Sequence, residues 1–98
     1  MRDQDQIRPD TRVRIVPNVH FRRFDDELVL LDLARGDYFA LNEVGAAIWS
    51  GIVDGLSPEQ IVTKLGPRYS VTPDELLADC LALIEQLVQN RLVAVEGP

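Results

Sequence analysis

Period-two alternation opens the folded part of the chain. Val13 and Ile15 alternate with Arg12 and Arg14. Beyond Pro17 and Asn18, Val19 and Phe21 alternate with His20 and Arg22. Such alternation predicts strands with one covered face and one wet face. Asp25-Asp26-Glu27 interrupts the run as a turn. An apolar stretch over residues 28–33 then leads through Ala34-Arg35-Gly36-Asp37 into residues 38–41. Two β-prone runs about a short glycine-containing turn predict a hairpin, with Gly36 at a position of positive φ. In its second arm Phe39 and Leu41 share the core face. Tyr38 points the other way, towards contact.

The periodicity then changes to that of helices. Asn42 and Glu43 read as the cap and first turn of a helix over about residues 43–53, ended by Asp54-Gly55. Val44, Ala47, Ile48 and Ile52 form its apolar face, with Trp49 at the edge. Ser57-Pro58-Glu59-Gln60 carries a capping box and a proline at the first helical position, which starts a short second helix ending near Gly66-Pro67. Thr72-Pro73-Asp74-Glu75 repeats that signal for a long third helix to about Asn90. Residues 92–95 read as extended. Residues 1–12, polar and mixed in charge, are expected to be a mobile tail ahead of a single domain over residues 13–98. Strands followed by helices predict an α+β fold: a three-stranded antiparallel sheet, then three helices, in the manner of a winged helix-turn-helix.

At about 100° per residue, the apolar residues of the third helix span an arc of roughly 160°, wider than the ~100° stripe that one buried face needs. One margin of that arc is a candidate groove wall. The polar side begins with Asp74, Glu75 and Asp79. A helix that reads a major groove needs Arg, Lys, Asn or Gln near its N-terminus and basic residues around it. A winged-helix DNA-binding regulator is the alternative the architecture suggests, and this acidic helix argues against it.

Composition narrows the chemistry. The chain has 98 residues, a formal charge of −6, one cysteine and one histidine. Seven arginines lie in the first 35 residues, whereas only Lys64, Arg68 and Arg91 follow Tyr38. A single cysteine excludes an internal disulfide. Cys80 lies on the apolar arc, where a thiol serves as a small hydrophobe, and His20 lies on a polar strand face. No phosphate-binding, dinucleotide-binding or metal-binding motif occurs. The expectation is a binder and not an enzyme, with no cofactor, no metal and no nucleic acid. With neither an apolar run of membrane-spanning length nor a secretory signal, it is expected in the cytoplasm.

Two stretches carry a resemblance. LLDLARGDYFALNEVGAAIW, from Leu30 to Trp49, and YSVTPDELLADCLALIEQLVQNRLV, from Tyr69 to Val93, resemble the PqqD-like family of peptide chaperones and precursor-recognition elements. The resemblance implies binding of the leader segment of a ribosomally made precursor peptide. The leader would add as an antiparallel strand to the hairpin edge formed by Asp37, Tyr38, Phe39, Ala40 and Leu41. It would lie in a groove walled by the third helix, for which Leu76, Cys80, Leu83 and Leu87 are the candidates. It also implies a second protein partner, a modifying enzyme or leader peptidase, in a pathway of the lasso-peptide, radical-enzyme or quinone-cofactor type. An exposed strand edge leaves both monomer and dimer open.

Overall fold

The computed structural model describes residues 7–96. The chain runs through β1 (Val13–Ile15), β2 (Val19–Phe24), β3 (Glu27–Asp32), β4 (Asp37–Leu41), α1 (Glu43–Val53), α2 (Pro58–Leu65), a 3-10 turn (Gly66–Arg68), α3 (Pro73–Gln89) and β5 (Val93–Val95). This is an α+β fold with three helices, and the sheet order β2-β3-β4 is an antiparallel meander. β1 does not join the meander. It pairs antiparallel with β5, Val13 opposite Val95 and Ile15 opposite Val93, to make a separate two-stranded sheet.

The local signals operate as atoms. Asp25, at φ 53°, opens a two-residue turn between the paired Phe24 and Glu27. The four-residue turn from β3 to β4 is held by Asp32. Its carboxylate accepts from the Ala34 and Arg35 amides at 3.0 and 3.3 Å, and its carbonyl accepts from Gly36 at 2.8 Å. Gly36 takes φ 77° there, the left-handed region that side chains disfavour. Asn42 caps α1 by accepting from the Gly45 amide at 2.9 Å, and both predicted capping boxes, Ser57–Gln60 and Thr72–Glu75, are closed. α3 ends in a Schellman motif with Arg91 as its left-handed residue, at φ 63°. The Leu92 amide returns to the Leu87 carbonyl and that of Arg91 to Val88. This reversal aims Leu92 and Val93 back into the core and sends β5 alongside β1.

The core forms around α1, which packs against β1, β3, β4, α2 and α3. Trp49 is buried rather than marginal. Its ring meets Phe21 of β2 edge-to-face, at 5.5 Å between centroids and an interplanar angle of 71°. Close approach of α2 depends on Gly51, where a β-carbon would stand 2.6 Å from Ile61 Cγ1. Cys80 sits at the centre of the buried side of α3, and desolvation pushes its thiol from 9.0 up to about 12.

Residues 7–12 do not form the tail expected of them. Ile7 is buried, the Pro9 carbonyl accepts from the Glu59 amide at 2.9 Å, and Arg12 donates to the Gly55 carbonyl. One apolar residue, a backbone bond to α2 and the Arg12 side-chain bond to the α1–α2 turn outweigh the polar composition. The rest of that tail, residues 1–6, lies outside the described residues. Among the described residues no helix is long and apolar enough to cross a membrane.

Two outcomes follow from the packing. Gly51→Ala gains roughly 1 kcal/mol of helix propensity, but the overlap with Ile61 costs about 1–3 kcal/mol. A net loss of stability in urea titration is the expected result, and an unchanged or raised midpoint would remove the close contact from the account. The raised thiol pKa means that Cys80 stays protonated in the folded state while the unfolded chain ionises above pH 9.0. Its contribution to stability is therefore complete below pH 9 and declines as pH rises towards 12. At pH 8 the native thiol should react with a disulfide reagent at least about 100-fold more slowly than the urea-unfolded thiol. Equal rates would contradict the burial.

Candidate peptide-binding edge

The hydrogen-bond phase of the meander decides what its edges offer. In an antiparallel ladder both backbone groups of a residue point to one side, and the side alternates along the strand. The Leu33 amide donates to the Asn18 carbonyl at 3.1 Å, which continues the β2–β3 ladder. Leu31 and Val29 therefore turn their backbone groups to β2, and Leu30 and Leu28 turn theirs to β4. The partners of Leu30 and Leu28 are Phe39 and Leu41. These two are spent on the ladder, so the N–H and C=O groups of Tyr38 and Ala40 face outward. β4 pairs with β3 alone. It presents two residues, with four backbone groups, at the spacing an added antiparallel strand requires.

The side chains alternate with the same period. Leu28 and Leu30 are buried on the face covered by α1, and they carry Phe39 and Leu41 with them. Leu41 is buried and Phe39 half-buried against the core. Tyr38, opposite Leu31, stands on the outer face with 71% of its surface exposed. Asp37 and Ala40 are exposed. The small Ala40 beside the large Tyr38 leaves a step along the edge.

The outer face is unusually apolar for an exposed sheet surface. Phe24, Leu31, Leu33 and Tyr38 are exposed and, with Val29, border a shallow depression of about 540 Å³ rimmed by His20 and Arg22. Read as one apolar run with no faces assigned, residues 28–33 gave no warning of this patch. The signal was present in the alternation, because Leu31 and Leu33 fall on the opposite face from Leu28 and Leu30.

The expected helix wall needs correction. Leu76, Cys80 and Leu87 are sealed in the core, at 1%, 0% and 3% exposure, and have no surface to give a ligand. They lie in the part of the apolar arc that the neighbouring elements seal. The margins are Leu83 on one side and Leu77, Leu81 and Val88 on the other, all half-buried. Of the four wall residues proposed from sequence, only Leu83 keeps an accessible part. The first turn of α3 exposes Asp74 and Glu75, and Asp79 lies exposed one turn further on, an acidic surface that repels phosphates. His20 stands exposed on β2 while Cys80 is buried on α3, so no nucleophile–base pair forms between them.

Comparison with known proteins agrees with this geometry. No curated protein matches the chain. Two solved structures share its fold at substantial identity. "TbiB1 in complex with the TbiA(beta) leader peptide" is 36% identical, covers 87% of this chain and 96% of its own, and superposes with a TM-score of 0.76. "Lasso peptide synthetase B1 complexed with the leader peptide" is 31% identical, covers 83% of this chain and 95% of its own, with a TM-score of 0.77. The family described as coenzyme PQQ synthesis protein D matches residues 27–93, from the first residue of β3 to the first residue of β5, and the chain belongs to this PqqD family.

Proposed function

We propose that the protein binds the leader segment of a ribosomally synthesised precursor peptide, as an extra antiparallel strand on β4. The observation that carries this reading is the free edge of β4, where Tyr38 and Ala40 turn their backbone groups outward in a fold whose relatives were solved with leader peptides. Backbone pairing supplies affinity that depends little on sequence, and side chains alternating across the edge supply selection. Leader residues directed to the inner side meet the border of Phe39, and those on the outer side meet Tyr38 and the step at Ala40. Asp37 and Leu41 bound the usable edge. On the helix side, contact rests on Leu83, the member of the expected wall that retains surface.

The role is non-catalytic. Holding a leader in extended form leaves the following core segment free for a separate modifying enzyme or leader peptidase, with the lasso-peptide type of pathway favoured by the likeness to a lasso peptide synthetase B1. The apolar outer face lies next to the edge, so the bound leader would extend that face by one strand.

A proline at Ala40 tests the edge without breaking the meander. The Ala40 N–H faces away from β3, and an edge strand tolerates proline where its N–H points to solvent. With a fluorescein-labelled leader from a short precursor gene neighbouring its own, the wild-type protein should bind with micromolar or tighter affinity. Ala40→Pro should weaken binding about tenfold, the loss of one edge hydrogen bond together with the clash of the proline ring, while the thermal midpoint changes little. Undiminished affinity in the folded variant would place the leader elsewhere, and absence of wild-type binding would overturn the function.

A further inference from the structure

The meander has a second free edge. By the same ladder phase, His20, Arg22 and Phe24 turn their backbone groups to β3, which leaves those of Phe21 and Arg23 facing outward from β2. β2 pairs with β3 alone, and all its residues after Val19 are exposed. Arg23 lies opposite Leu28, so its side chain is on the inner face. There it joins a cavity of about 250 Å³ between the sheet, α1 and α2.

That cavity has two chemical halves. Its floor is apolar, from Ala47, Leu56, Ile61 and Leu65, and it includes the bare backbone of Gly51. Its rim carries Arg23, Lys64 and Arg68 together with Ser50, Tyr69 and, as the one acid, Glu43. Lys64 is engaged by Asp54 at 3.5 Å. Arg23 and Arg68 make no ion pair among the described residues. In a protein of net charge −6, two uncommitted guanidinium groups thus border one apolar hole. The hole lies beside a strand edge whose outward backbone groups are also unpaired.

We propose that β2 and this cavity form a second peptide site, distinct from the leader edge, for an extended acidic segment of a partner protein. The segment pairs with the outward backbone groups of Phe21 and Arg23. Its side chains alternate, so the one beside Arg23 on the inner face enters the cavity. An aliphatic side chain fills the floor, and the Asp or Glu residues flanking it meet Arg23 and Arg68, which bind carboxylates through paired N–H donors. The two edges lie on opposite sides of a three-stranded sheet, so both peptides can be held at once. The protein would then act as an adaptor that joins a leader on β4 to a processing partner on β2.

The test is a residue-resolved titration of the ¹⁵N-labelled full chain with the acidic peptide acetyl-EDLVED-amide, with acetyl-KRLVKR-amide as the control of reversed charge. The expected result is saturable shifts of the Phe21, Arg23, Gly51 and Tyr69 amides with the acidic peptide alone. Arg68→Glu should weaken binding roughly tenfold or more, and Arg68→Lys should restore part of it, because the charge returns without the bidentate fork. Both substitutions fall on an exposed side chain, and the spectrum itself reports that the fold persists. No shift at millimolar acidic peptide, equal binding of the basic peptide, or shifts confined to Tyr38 and Ala40 would each overturn the proposal. Leader binding is read at the other edge, so a failure there leaves this result interpretable.

Discussion

Everything in this small protein hangs on one helix that must be approached from nearly every side. Six of the eleven residues of α1 are buried: Gly45, Ala46, Ile48, Trp49, Gly51 and Ile52. Such a helix cannot carry large side chains in all directions, because its neighbours would stand too far away to close over it. The sequence resolves this by distributing size. Trp49 and Ile48 fill space, while Gly51 lets α2 press Ile61 nearly onto the backbone and Gly45 keeps a close contact with Leu41. Burial of α1 thus couples the sheet to the other two helices. A volume change on this helix would be transmitted to both layers.

The same arrangement explains why the open strand edges lie where they do. α1 covers one face of a three-stranded meander and nothing among the described residues covers the other. A sheet of three strands has two edges and cannot close on itself, so unpaired backbone groups remain at β2 and β4. Proteins usually blunt such edges with charge or bulges. Here β4 is short, begins at the exposed Asp37 and carries Tyr38 and Ala40, which leaves it open to a strand partner. β2 carries arginines, which discourage self-pairing and favour an acidic guest. The edges are therefore chemically unlike, although both belong to one sheet.

The parts of the fold that were legible in the sequence are those written locally. Asn42, Ser57 and Thr72 cap helices because each cap involves residues three positions apart, and the β3–β4 turn follows from Gly36 with its neighbours. What was not legible depends on distant residues. β1 finds β5 only because the left-handed Arg91 reverses the chain after α3, and arginine at that position gives no glycine signal. Residues 7–12 dock through one buried isoleucine, main-chain bonds and the Arg12 side chain, which composition does not register. For the binding edge, the strand and the outward Tyr38 followed from alternation. The wall on α3 did not follow, because helical periodicity defines an apolar arc but not which part of the arc its neighbours seal. Leu76, Cys80 and Leu87 proved to lie in the sealed part.

Charge completes the division of labour. The first 37 residues nearly balance seven arginines against eight acids, whereas the chain after Tyr38 sets eight acids against three cations, so most of the net charge lies on the helical part. The acidic surface of α3 repels phosphate backbones at the element that would otherwise read DNA. The proposed leader site uses this architecture through its sheet instead. Strand addition suits this purpose physically. It needs no deep pocket, for which a 98-residue core leaves little room, and it draws affinity from backbone groups that every peptide carries. Selectivity can then reside in a few side chains at each edge, and those can change without disturbing α1 or the core it organises.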